Sequence, residues 1–159
     1  MSTLAEQFER FLGCRDLSSD LEKFMKEREQ LLEGKFFRGL PFPTHLLKVG
    51  AIIEEWHGST HWTLDEKIAQ GFANDYMNEC YYEELQEELG VEDVDYEYLV
   101  LVAEELQGVE SYKLLKELNI NGYEREQEIT VLGKDFVIKS IEVKNIDGVD
   151  FYYATVSMQ

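Results

Sequence analysis

Basic residues are scarce in this chain: 15 Lys and Arg stand against 33 Asp and Glu in 159 residues, a formal net charge of −18. A surface of that sign repels phosphate backbones and anionic membranes, so no direct nucleic-acid binding is expected, and protein partners are expected to be basic or neutral. Cysteine is rarer still. Cys14 and Cys80 have neither CxxC spacing nor the density of a disulfide scaffold, and are read as buried thiols in a reducing compartment. No run approaches the roughly 20 apolar residues of a membrane span, and "MSTLAEQFERFLG" has acids where a secretory leader has a basic start and an apolar core. The expected setting is therefore cytoplasmic, without a membrane. Also missing are G-x-G-x-x-G after a strand and G-x-x-x-x-G-K-[ST], so any nucleotide must be held by something other than a Rossmann turn or a P-loop.

What is present is enough apolar material for one compact domain over residues 1–159: 44% of the chain is hydrophobic and 13% aromatic. Leu4, Phe8, Phe11 and Leu12 repeat at helical spacing, and Leu21, Phe24, Met25, Leu31 and Leu32 do so again after the capping sequence "SSD". This predicts an N-terminal helical part over 1–33, stopped by Gly34. "KFFRGLPFP" then reads as a short strand cut off by Pro41 and Pro43, with Arg38 at its end. "LLKVGAIIEEW" and "STHWT" read as short strands. Asp65 caps a helix with Ile68, Ala69, Phe72, Ala73, Tyr76 and Met77 on its inner face, a pattern that runs on to Leu89 and Gly90. "YEYLVLVA" has the continuous apolar character of a buried strand, and "SYKLLKEL" reads as a short serine-capped helix. "QEITVL", "DFVIKSIEV" and "DFYYATVS" predict three strands in antiparallel succession, broken at Gly133 and "NIDG". Helices early and strands late give an α+β class, with a core over 35–156.

Chemistry concentrates in "WHGSTHWT". His57 and His61 are four apart with Glu54 and Glu55 nearby, but Gly58 and the β-rich setting argue against a zinc-binding helix, so no metal is expected. "HGSTH" also lacks the G-x-S-x-G of a hydrolase nucleophile elbow. The acidic run over 79–97 is by default a solvated helix face, and as an alternative it could mimic a nucleic-acid backbone.

Three separated elements stand in a meaningful order: Arg38-Gly39, the block "HWTLDEKIAQGFA" at 61–73, and Glu126-Gln127-Glu128 before a strand. Together they resemble the arginine-serine-glutamate class of mono-ADP-ribosyltransferases. That family carries an Arg on its first core strand, then a Ser-x-Ser/Thr strand leading into a helix with A-x-x-F-A, then Glu-x-Glu or Gln-x-Glu at the start of a later strand. Here Thr63, Asp65, Ala69, Phe72 and Ala73 match the second element, with His61 where the family has serine; an imidazole can still donate to a neighbouring carboxylate. The resemblance covers roughly residues 35–143. "WHGST" also resembles the His-Gly-Ser/Thr of the family's polymerase branch, which has its histidine on the first strand, where this chain has Arg38.

The resemblance implies an ADP-ribosyltransferase-like fold of two packed, mainly antiparallel sheets with N-terminal helices, and a reaction that moves ADP-ribose from NAD and releases nicotinamide. Glu128 would be the catalytic carboxylate. Glu126, two residues before it, marks the arginine-modifying form, and Tyr123 in "NINGYER" would approach the acceptor. Arg38, Gly39, His61, Trp62, Thr63 and Phe72 would line the NAD site. The implied partner is a basic protein with an exposed arginine. The alternative is a non-catalytic acidic protein on the same fold, either an NAD binder or a nucleic-acid mimic.

Overall fold

The computed structural model describes residues 2–14, 17–53, 59–74, 87, 95–120 and 127–159. Among these are four α-helices: α1 (Leu4–Cys14), α2 (Ser19–Lys26), α3 (Glu66–Asn74) and α4 (Ser111–Glu117). The strands are β1 (Gln30–Pro43), β2 (Ile52–Ile53), β3 (Ser59–Thr63), β4 (Tyr96–Gly108), β5 (Glu128–Leu132), β6 (Phe136–Ile146) and β7 (Val149–Met158). They lie in the order β2-β6-β7-β4-β1-β3-β5, antiparallel except for the parallel pair β4 and β7. The class is α+β, as expected.

The sheet is curled. Trp62 on β3 meets Phe136 on β6 with ring centroids 4.8 Å apart, although the two strands are four places apart in the sheet. In a flat sheet about 19 Å would separate them, at roughly 4.7 Å per strand. The curl encloses Phe36, Leu40, Trp62, Leu99, Ile129 and Phe136 as the main core. The two expected sheets are thus two parts of one hydrogen-bonded sheet, a five-strand part ending at β1 and the pair β3–β5. Among the described residues they are joined by the pair Phe37↔Thr63 and by the bridge Val109↔Thr130, whose two backbone hydrogen bonds (2.8 Å each) tie the chain just after β4 to β5.

Two further apolar clusters fix the helices. Phe8, Phe11, Leu21, Met25, Leu114 and Leu115 of α1, α2 and α4 pack with Val109 and with Leu132 of β5. On the other part, Ala69 and Ala73 of α3 pack with Phe37, Val100, Phe151 and Tyr153. The caps are as the sequence suggests: Ser18 Oγ accepts from Leu21 N–H at 3.2 Å, and Asp65 Oδ1 from Lys67 N–H at 2.9 Å.

Several boundaries differ from expectation. Leu31 and Leu32 belong to β1 rather than α2, because a tightened turn (Arg28 N–H to Met25 O, 2.9 Å) closes the helix and β4 pairs the backbone from Gln30 onward. Gly34, at φ +152°, sits in the register shift between Glu33 and Phe36 instead of stopping a helix. β1 continues through Pro41 and Pro43. Both still face β4 partners, Tyr98 and Tyr96, while among the described residues the opposite edge of β1 has no register pair beyond Phe37, so an imide nitrogen there loses no described ladder bond. Arg38 is accordingly inside a strand rather than at its end. β5 does not pair with β6, because the chain turns at Gly133 (φ +56°) and crosses from one part of the sheet to the other. β6 and β7 do form the expected hairpin, through Asp147 and Gly148 at φ +52° and +84°. The continuation of α3 toward Leu89 lies outside the described residues.

Candidate active site

β1, β3 and β5 present one row of partners: Phe37 opposite Thr63, and Thr63 opposite Glu128. Residues in such a row leave the sheet on the same face, and their neighbours one position along leave on the other. Thr63 and Glu128 therefore share a face, while Trp62 and Arg38 start from the opposite one. Arg38 comes directly after the Phe37 joint, where β1 and β3 separate, and its guanidinium Nη1 is buried. The structure thus brings Arg38 and Glu128 to the same junction from its two sides.

Glu128 is 6% exposed. A carboxylate so enclosed requires a charged or hydrogen-bonding companion. His61, two residues before Thr63 on the same face, reaches it diagonally: Nδ1 stands 3.0 Å from Glu128 Oε1. The Nδ1 atom thus faces the carboxylate at the distance of a direct polar contact. The other ring nitrogen, Nε2, lies 3.2 Å from Ser59 Oγ. Phe11 of α1, fully buried, covers the ring at 5.3 Å between centroids and 58° between planes.

Other expected residues have roles that burial and contacts make plain. Trp62 is 1% exposed, packs against Phe136 with the rings tilted by 49°, and donates from Nε1 to Thr60 Oγ1 at 2.9 Å, so its ring belongs to the core inside the curl. Thr63 Oγ1 accepts from Asp65 N–H at 3.0 Å and starts the turn into α3. Gly39 lies under α3: a Cβ there would stand 1.7 Å from Ala69 O and 2.8 Å from Ala73 N. Phe72 is half-buried on α3. Gln127 has φ +44°, a left-handed conformation uncommon outside glycine, and delivers the chain into β5 at Glu128. Tyr123 and Glu126 lie outside the described residues.

Two contributors stood outside the expected site: Ser59, which with Thr60 is the other candidate for the family's serine element but shifts the register against Ala69 and Phe72, and Phe11. Ser59 was visible as the first member of S-x-H-x-T, three alternate residues that share one face of a strand. Phe11 gave no signal beyond its helical periodicity, since nothing local ties α1 to β3.

No protein-family model matches the chain, and no curated protein sequence does. Among solved structures it is similar to the ADP-ribosyltransferase Vis in complex with the M6 inhibitor: 14% identity, 98% of this chain and 67% of that chain covered, TM-score 0.56. It is also similar to the Vis toxin, an ADP-ribosyltransferase from Vibrio splendidus, at 13% identity over 98% of this chain and 68% of that one, with a TM-score of 0.52. The likeness is one of fold: the chain has the ADP-ribosyltransferase fold.

Proposed function

We propose that this chain transfers ADP-ribose from NAD to the guanidinium of an arginine on a basic protein. One observation carries the reading: a carboxylate, Glu128, is buried against His61 Nδ1 at 3.0 Å where β1 and β3 part, within this fold. NAD supplies a glycosidic bond whose cleavage releases nicotinamide and builds positive charge on the anomeric carbon, as in glycoside hydrolysis. Glu128 offers fixed negative charge to that carbon and an acceptor to the adjacent ribose hydroxyl, without having to reorganise. Arg38 offers a multi-donor cation suited to the pyrophosphate. His61 takes the place of the family serine in holding the carboxylate. Thr63 and Gly39 act more indirectly, since they fix the turn and the close approach of α3, while Trp62 holds β3 from within the core.

An arginine side chain is protonated at neutral pH, so a second carboxylate is required to orient it and to take up its proton as the new C–N bond forms. Glu126, two residues before Glu128, is that residue, with Tyr123 beside the acceptor.

The test is nicotinamide release from NAD by the purified protein, with and without a cell lysate. Glu128→Gln keeps the size of the side chain and is expected to lower release by about a hundredfold or more while leaving the melting temperature close to wild type. Undiminished release in that variant refutes the proposal. Glu126→Gln is expected to retain slow NAD hydrolysis but lose transfer to arginine; an equal loss of both would remove its acceptor role.

A further inference from the structure

Ser59, His61 and Glu128 form a connected chain of largely buried polar groups on β3 and β5. Ser59 is 7% exposed and the His61 side chain 21%, and the contacts run Ser59 Oγ to Nε2 (3.2 Å) and Nδ1 to Glu128 Oε1 (3.0 Å). Both ring nitrogens are therefore committed, one to each neighbour. An ionised carboxylate can only accept, so the nitrogen facing Glu128 must carry a proton. In a neutral imidazole the other nitrogen is then a lone pair and needs a donor. A serine hydroxyl can turn its hydrogen toward that lone pair.

We infer that Ser59 is a positioning residue for the proposed reaction: it fixes the tautomer and tilt of the His61 ring, and through them the hold of His61 on Glu128. The inference rests on the function proposed above. The tilt matters because Nδ1 meets Glu128 Oε1 at 3.0 Å, so a rotation of the ring changes what Glu128 receives. Phe11 limits that rotation from one side and Ser59 anchors the far nitrogen. Without the hydroxyl, the ring proton can move to Nε2 and leave the Nδ1 lone pair facing the carboxylate.

The same connectivity is that of a serine hydrolase triad. Burial separates the two readings. Ser59 is 7% exposed at the start of β3, paired with Leu132 of β5, and the α1 side chain Phe11 covers the adjacent ring, which is not the exposed setting that a nucleophile needs. The hydroxyl acts inward on the imidazole.

The experiment reads the ring nitrogens directly. Nitrogen chemical shifts are recorded on protein carrying labelled histidine, with the His61 signals assigned by their loss in His61→Gln. The wild type is expected to carry its proton on Nδ1, and Ser59→Ala to shift population toward Nε2–H. Alongside this, kcat for nicotinamide release should fall about tenfold with KM for NAD little changed, the loss of an interaction that acts on the reacting state. Ser59→Thr, which keeps the hydroxyl, should restore both readings, and Ser59→Cys supplies a near-isosteric second variant if alanine impairs folding. An unchanged tautomer in Ser59→Ala and Ser59→Cys overturns the inference whatever happens to turnover, as does covalent labelling of Ser59 by a fluorophosphonate. A tautomer shift in a protein whose wild type never cleaves NAD supports the Ser59–His61 relation and instead refutes the proposed function.

Discussion

Gly39 illustrates how a residue's neighbours decide its meaning. Beside Arg38 it reads as a place where a ligand approaches the backbone, yet the close approach is made by α3, whose Ala69 carbonyl occupies the position of the missing side chain. Ala69 and Ala73, four apart and both small, were the sequence signal for such contact. Gly39→Ala is therefore expected to destabilise the fold by about 1–3 kcal/mol through overpacking, read as a lower denaturant midpoint. A change below about 0.5 kcal/mol would mean that α3 can move away freely. The pair His61 and Glu128 was legible for a different reason: the motif order supplied both names, and alternation along β3 put Ser59, His61 and Thr63 on one face. The packing of Phe11 over His61 was not legible, because it joins residues fifty positions apart that share no local pattern.

At the scale of elements, the sequence was read best where periodicity and capping agree, as in α1, the start of α2 and the β6–β7 hairpin. It was read worst where tertiary pairing overrode a local signal. Prolines at 41 and 43 ought to end a strand, and do not, because β4 pairs one edge of β1 there and no described residue pairs the other. The helical layer also depends on a pairing that local sequence does not reveal: Arg28 on the turn after α2 grips Glu117 at the end of α4. The fork is Nη2 to Oε1 at 2.7 Å and Nε to Oε2 at 3.3 Å, and the guanidinium lies 3.6 Å above the Phe24 ring. The hydrogen bonds from Arg28 hold the Glu117 carboxyl below its ordinary value. A lowered carboxylate pKa stabilises the fold above the pKa of the unfolded chain, and that contribution disappears as pH falls through the folded value. Arg28→Lys loses both the fork and the ring contact. It is expected to melt lower than wild type at neutral pH, with the gap closing in acid; a gap that stays constant with pH would assign the effect to the ring contact alone.

For the molecule as a whole, the excess of 18 negative charges acts on every encounter. Self-repulsion weakens with added salt, so the melting temperature should rise between about 10 and 150 mM NaCl, over which the Debye length falls from roughly 30 to 8 Å. Transfer to a basic acceptor protein should slow over the same range, since screening removes the attraction that steers the encounter. Hydrolysis of NAD alone gives the control. If both rates respond to salt alike, charge is not guiding the protein partner. A last consequence concerns the order in which the chain is made. β7, residues 149–158, is the last strand in chain order but sits inside the sheet, between β4 and β6. During synthesis, β4 emerges with β1 able to pair along one side, while its other side waits for a partner more than forty residues later. An unfilled strand edge invites pairing with the wrong chain. The pieces of sheet on either side of β7 therefore join only when it arrives, and a stop codon before β7 would leave two unjoined pieces of sheet rather than a protein shortened at its rim.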